Sequence, residues 1–280
     1  MDKIEVELPD EITTEILTKP PRDLVVVAQP KMGKSCILGD FSVRTNSLVL
    51  ELEKGGYEYI SARKISIYED EMTSNYDAFK NYIKIRNKLL ENKGKYTTLI
   101  IDGLSDLDRL SEIGGTLAYM QKSIGKKFNR VGGKAGNPEI LPDQPGYKSV
   151  ITLPEGYGYQ HSREWFLQQI EFFKQIAPYR VYAAHITDKY LKATETEEVS
   201  THEISLTGKL KLIFSGKVTT LAKLYSDNNK RYLNFDVLND SIIAGSRAPL
   251  LKGQILISEQ EETGTIKTFW ENIYPESFFK

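Results

Sequence analysis

Residues 25–35 read Val-Val-Val-Ala-Gln-Pro-Lys-Met-Gly-Lys-Ser, an apolar β-branched run that breaks into a turn and ends on Gly33-Lys34-Ser35. β-Branched side chains suit a pleated, buried surface, so Leu24 to Ala28 is expected as a strand. The eight residues from Ala28 to Ser35 fit the phosphate-loop pattern G-x-x-x-x-G-K-[ST] at every position but the first, where alanine replaces glycine. In such a loop backbone amides wrap the phosphates, the lysine reaches the terminal phosphates and the hydroxyl holds magnesium. The first glycine mainly shapes the exit from the strand, so Ala28 is compatible with function if its backbone stays extended. Gly33 is more demanding, because a Cβ there would crowd the phosphates. The expected cradle for ATP is Ala28, Gln29, Pro30, Lys31, Met32, Gly33, Lys34, Ser35 and Cys36. Beyond it Cys36-Ile37-Leu38 opens a helix whose N-terminus can face the anion.

A second signal follows downstream. Thr98-Leu99-Ile100-Ile101-Asp102 is an apolar strand ending in an acid, the Walker B form, and Asp102 there would order Mg2+ through water while Ser35 binds it directly. Leu24 to Ala28, Ser47 to Leu52 and Thr97 to Ile101 all read as strands buried on both faces. Between the last two, Asn75 to Asn92 carries Phe79, Tyr82, Ile83 and Leu89 at helical spacing. Ser162 to Ala177 repeats that pattern through Phe166, Ile170 and Phe173 until Pro178 stops it, and Tyr179 to His185 resumes as a strand. Alternating strands and helices predict an α/β fold with a central, mostly parallel sheet flanked by helices. Glu195 to Ser205, Val218 to Ser226 and Arg231 to Val237 give the chain a β-rich C-terminal part, whereas residues 111–160 lack a sustained period and hold many glycines.

Composition excludes some partners. The 280 residues hold 37 Lys plus Arg against 38 Asp plus Glu, so nucleic acid must be met by a local patch. The lone cysteine, Cys36, precludes an internal disulfide and suits a reducing compartment. With an acidic N-terminus lacking an apolar leader and no membrane-length apolar run, a cytoplasmic location is expected, in the host cytoplasm if the chain is phage-encoded. With three histidines, none at zinc-like spacing, no structural metal is expected.

The P-loop, "LELEKGG" at 50–56, the strand ending in Asp102 and the strand ending in Ala184-His185 together resemble the RecA-like P-loop ATPases of phages, AAA-domain nucleotide-binding proteins that include Sak-type single-strand annealing and recombination proteins. The resemblance implies a RecA-like core over residues 21–257, with a glycine-rich, partly basic insertion at 111–160, an N-terminal extension at 1–20 and a C-terminal tail at 258–280. It implies Glu53 as the base that activates the attacking water, with Glu51 as a rival on the same strand face, and Lys34 and His185 as further catalytic residues, His185 sensing the γ-phosphate. Lys209, Lys211 and Arg247 become candidates for charges offered to a neighbouring subunit's nucleotide in a homo-oligomer. Lys122, Lys126, Lys127 and Arg130, interleaved with Tyr119 and Phe128, become candidate contacts to single-stranded DNA. The implied function is ATP hydrolysis on single-stranded DNA in phage recombination, replication or repair, with a single-strand-binding protein as a further partner. Two rivals are a P-loop small-molecule kinase, which would need an arginine-rich lid that the sequence does not display, and a non-catalytic nucleotide-dependent annealing module.

Overall fold

The computed structural model describes residues 20–72, 74–192, 198–236 and 244–280. The expected N-terminal extension falls outside them except for Pro20, as do Glu195 to Glu197 and Val237 of two expected strands. In chain order the elements are β1 (Asp23–Ala28), α1 (Lys34–Arg44), β2 (Ser47–Glu51), β3 (Lys64–Ser66), α2 (Asn75–Glu91), β4 (Thr98–Asp102), α3 (Leu104–Gln121), α4 (Tyr157–Ile176), β5 (Tyr179–Lys192), β6 (Glu198–Ile204), α5 (Leu210–Lys217), β7 (Thr220–Asp227), β8 (Lys230–Asn234), β9 (Gly245–Ser246), β10 (Gln254–Gln260) and β11 (Ile266–Thr268). Among the described residues no helix is long and apolar enough to cross a membrane.

Strands β3, β2, β4, β5, β1 and β7 lie side by side in that order, each parallel to its neighbours. β8, β10 and β11 then extend the β7 edge antiparallel, which is the β-rich C-terminal part. Because the central strands are buried on both faces, their residues alternate between two apolar layers. Val25, Val27, Leu50, Leu99, Ile101 and Tyr182 face one layer, built with α2, α3, α4 and α5. Leu24, Val26, Ala28, Val49, Ile100 and Val181 face the other, built with Ile37, Leu38 and Phe41 of α1.

Two stretches depart from expectation. α3 continues to Gln121, well into the region read as irregular, and α4 begins at Tyr157. Glycine lowers helix propensity, but here it permits close packing. A Cβ on Gly114 would stand 2.2 Å from a ring carbon of Trp165, and one on Gly115 would stand 2.7 Å from the Ser162 backbone nitrogen. α3 and α4 therefore pack at a distance only glycine allows. Residues 258–280, expected as a tail, instead enter the second layer: Trp270 and Tyr274 are fully buried against α1, and Trp270 Nε1 donates to Ile37 O at 2.9 Å.

Register places the chemistry. Ala28 sits opposite His185, and Glu51 opposite Asp102, which in turn faces Ala183. All lie at the carboxyl ends of parallel strands, where open α/β sheets bind ligands. β5 passes through this edge and continues, its second half pairing antiparallel with β6 from Ile186 to Lys192.

Candidate active site

Where β1 ends, Ala28 remains part of the strand and fully buried, so the alanine is accommodated in extended backbone. The loop then turns through Lys31 at φ 64° and Gly33 at φ 85°. Lys31 is a non-glycine residue in the left-handed region, a sign of a loop held by its surroundings. α1 starts at Lys34 with no side-chain cap and no acid in its first turn, which leaves its leading amides directed at the space above the loop. The left-handed backbone at Gly33 strains any side chain there, and a Cβ would also stand 3.0 Å from Nε of the Arg231 guanidinium, a neighbour the sequence did not disclose.

Lys34 is buried, and its ammonium lies 3.4 Å from the carbonyl oxygens of Ala28 and Gln29 and 3.1 Å from His185 Nδ1. His185 Nε2 in turn stands 3.4 Å from Glu53 Oε2. A charged lysine can only donate, so Nδ1 accepts, the imidazole proton sits on Nε2, and Nε2 donates to the carboxylate. That hydrogen bond from His185 leads the causes that hold the Glu53 carboxyl below its usual value, which keeps it ionised at neutral pH. Burial lowers the Lys34 pKa, opposed by the charges of Asp102 and Glu53.

On the other side of Lys34, Ser35 Oγ donates to Asp102 Oδ2 at 2.9 Å, and the Tyr57 hydroxyl donates to the same oxygen at 2.7 Å. Burial raises the Asp102 pKa, and these two donors oppose the rise. Burial also pushes the Tyr57 phenol well up, so it stays a donor. Tyr57 has no counterpart in the sequence motifs. Its backbone amide also donates to Glu51 Oε1 at 3.1 Å, while Lys64 on β3 reaches Glu51 Oε2 at 3.3 Å. Glu51 is thus enclosed and engaged in organising the loop after β2, whereas Glu53 keeps a half-exposed carboxylate. The hard oxygens of Ser35 and Asp102, side by side at the foot of the loop, match the donor set Mg2+ takes.

Glu53 opens onto a cleft of about 610 Å³ bordered by Tyr68, Asp106 and Arg109. Arg109 donates to Asp106 and to the Tyr68 hydroxyl, both at 2.7 Å. Burial pushes Asp106 up to about 6, the Arg109 charge opposing it.

The remaining expected residues make contacts of their own. Lys211 pairs with Glu203, Arg247 donates to Gly216 O, and Lys209 is exposed at the start of α5. Arg130 is held by Glu139 and the Asn137 carbonyl, and Lys122 lies beside His161 and Glu164, while Lys126 and Lys127 are exposed. Cys36, in the first turn of α1, is a free thiol of intermediate exposure.

Solved structures similar to this chain include the flagellar accessory protein FlaH from Methanocaldococcus jannaschii, at 11% identity and a TM-score of 0.41 over 90% of this chain and 92% of that one. Another is an ATPase from the type III secretion system of pathogenic bacteria, at 10% identity and a TM-score of 0.33 over 74% of this chain and 52% of that one. No curated protein matches the sequence. The AAA domain matches residues 21–248, which include the loop, both strand-end acids, His185 and the antiparallel strand that carries Arg231. With a parallel sheet flanked by helices and a P-loop at its carboxyl edge, the chain belongs to the AAA domain family of P-loop, ATPase-like nucleotide-binding proteins.

Proposed function

We propose that this protein binds ATP with Mg2+ and hydrolyses it, and that it does so as a RecA-like ATPase acting on single-stranded DNA in phage recombination, replication or repair. The observation that carries the hydrolytic part is the row Lys34, His185, Glu53 across the loop. It links the cation that meets the terminal phosphate to an ionised carboxylate able to take a proton from water. Lys34 neutralises phosphate charge; Glu53 orients the water; His185 couples the two, since a shift of Lys34 toward phosphate releases Nδ1 and alters how Nε2 holds the base. Ser35 and Asp102 would hold magnesium, the ion that neutralises charge on the phosphate oxygens when bound.

Support for the DNA part is the exposed pair Lys126 and Lys127 beside the Tyr119–Phe128 edge-on ring pair, with centroids 5.4 Å apart. Arg130 and Lys122 contribute less, because neighbouring groups already hold them. The exposed Lys209 and Arg247 remain available to a second copy in a homo-oligomer.

The test is steady-state phosphate release from ATP with and without single-stranded DNA, beside ATP binding, for the wild type and Lys34→Ala. Lys34→Ala is expected to lose ATP binding or turnover while retaining its fold, since the ammonium meets phosphate charge and not the core. Wild-type turnover in that variant would refute the site. ATP binding without hydrolysis in the wild type would favour the non-catalytic module, and DNA-independent turnover would remove the DNA part.

A further inference from the structure

The residue against the loop glycine belongs to neither sequence motif. Arg231 lies on β8, with Nε 3.0 Å, Cζ 3.2 Å and Nη2 3.4 Å from the position of a Cβ on Gly33. Its Nη1 is buried and has no hydrogen-bond partner among the described residues. An enclosed cationic N–H without an acceptor is costly, and native proteins keep such groups where something else satisfies them. Its cross-strand neighbour Ser258 is fully buried with an unpartnered hydroxyl as well. Two unsatisfied donors thus sit on one rung of the sheet.

The sheet is irregular beside this side chain. β8 pairs with β10 in regular register from Asn234 to Tyr232, and then the register slips by one residue between Leu256 and Ser258, opposite Arg231. The extra residue, Ile257, lies in β10, which is therefore the strand that bends beside Arg231, and bulges of this kind recur next to active sites. Leu233, two residues along β8, belongs to the α1-side layer, so alternation puts Arg231 on that same face, beside the start of α1. The sheet order places β8 on the flank of β1 opposite β5, β4 and β2. Lys34, His185, Glu53 and Asp102 therefore meet the loop from one side, and Arg231 from the other.

We propose that Arg231 is a nucleotide-binding residue acting in cis, its guanidinium gripping the non-terminal phosphates of the nucleotide on its own subunit's loop. The inference rests on the nucleotide-site reading above. A planar fork of N–H donors matches phosphate oxygens, and the flank from which it arrives is the one away from the hydrolytic base. Arg231 thereby supports ATP and ADP alike. It differs in kind from Lys209, Lys211 and Arg247, whose suggested role needs a second subunit.

The experiment is calorimetric binding of Mg2+–ADP and Mg2+–tripolyphosphate to the wild type, Arg231→Met, Arg231→Lys and Lys34→Ala, at two protein concentrations. Arg231→Met, which keeps an apolar stem over the loop, is expected to weaken both ligands by a similar factor, roughly 10- to 100-fold, the worth of a charge-assisted hydrogen bond. The loss should not depend on protein concentration, and Arg231→Lys should recover part of it. Unchanged ADP affinity overturns the proposal. So does weakened ADP with unchanged tripolyphosphate, which would place Arg231 on the base or ribose. Should Arg231→Met fail to fold, the wild type decides alone: the Arg231 Nε–Hε resonance is expected to shift on adding either ligand, and an unmoved resonance overturns the assignment. If the wild type binds neither ligand, the nucleotide-site reading falls with it. If Lys34→Ala loses binding while Arg231→Met does not, only the arginine assignment fails.

Discussion

Replacing Glu51 and Glu53 in turn by glutamine separates structure from chemistry at two acids of one strand end. Glu51 is 2% exposed and spans Lys64 and the Tyr57 amide. Breaking a buried ion pair by removing one charge costs about 3–5 kcal/mol when the other is left stranded. Here the Lys64 side chain is 35% exposed and can turn to water, and glutamine still offers an oxygen to the Tyr57 amide. The expected cost of Glu51→Gln is therefore lower, about 1–2 kcal/mol, or a fall in Tm of about 2–8 °C for a chain of this size. Turnover at a temperature well below the transition should stay within a few-fold of wild type.

Glu53→Gln should behave in the opposite way. The Glu53 side chain is 46% exposed, and its pairing with His185 contributes little to stability once solvent screening is counted, so Tm should hold within a degree or two. Loss of the base should lower turnover about 10²–10⁴-fold, or about 3–5 kcal/mol of barrier, with ATP affinity retained. The assay is phosphate release together with a thermal melt of each variant. Should Glu51→Gln give the slow, tight-binding enzyme and Glu53→Gln turn over normally, the base is Glu51 and its pairing with Lys64 must open during the cycle. Should neither slow hydrolysis, the catalytic reading is wrong.

Other outcomes follow from geometry already described. Asp106, raised to about 6 by burial, stabilises the fold most when protonated, so its contribution is complete below about pH 4 and lost as pH rises through about 6; the Tm of wild type relative to Asp106→Asn should fall over that interval, and a constant difference would refute the assignment. Neutralising Lys126 and Lys127 should weaken single-stranded DNA binding and flatten its salt dependence by about 0.7 per lost phosphate contact, with basal ATPase unchanged; an unaltered slope returns both to the solvated surface. Gly114→Ala, whose Cβ would stand 2.2 Å from Trp165, should cost about 1–3 kcal/mol or more by denaturant midpoint, and a neutral result would mean that α3 and α4 can separate freely.

The parallel core was legible because strands buried on both faces leave uninterrupted apolar runs, and Leu24 to Ala28 and Thr98 to Ile101 are such runs. The loop was legible because amide cradles need local residues at fixed spacing. What the sequence left open depends on distant partners. Glu51 and Glu53 were expected on one strand face, but β2 ends at Glu51, and the two part because Lys64 and the Tyr57 amide claim the first while Glu53, past the strand end, meets His185, 132 residues away. Tyr57 reaches Asp102 across 45 residues and leaves no periodic trace. α3 was hidden by paired glycines, whose cost in helix propensity is offset by packing on α4. Arg231 looks like one more charged residue in a hairpin until β10 and the loop are seen around it.

The seating of Trp270 on α1 has a consequence for synthesis. The helix that follows the phosphate loop is translated well before the indole that donates to Ile37, which comes 233 residues later. At the ordinary pace of translation of about 5–20 residues per second, that interval lasts roughly 12–47 s. Until it closes, Phe41 and Ile37 lack the aromatic cover they have in the native layer, and the loop amides rest on a helix whose far side is bare. Closing so long a loop is entropically unfavourable before the contact rewards it. The apolar layer behind the helix that follows the loop is therefore completed only when residues 270–274 dock on it.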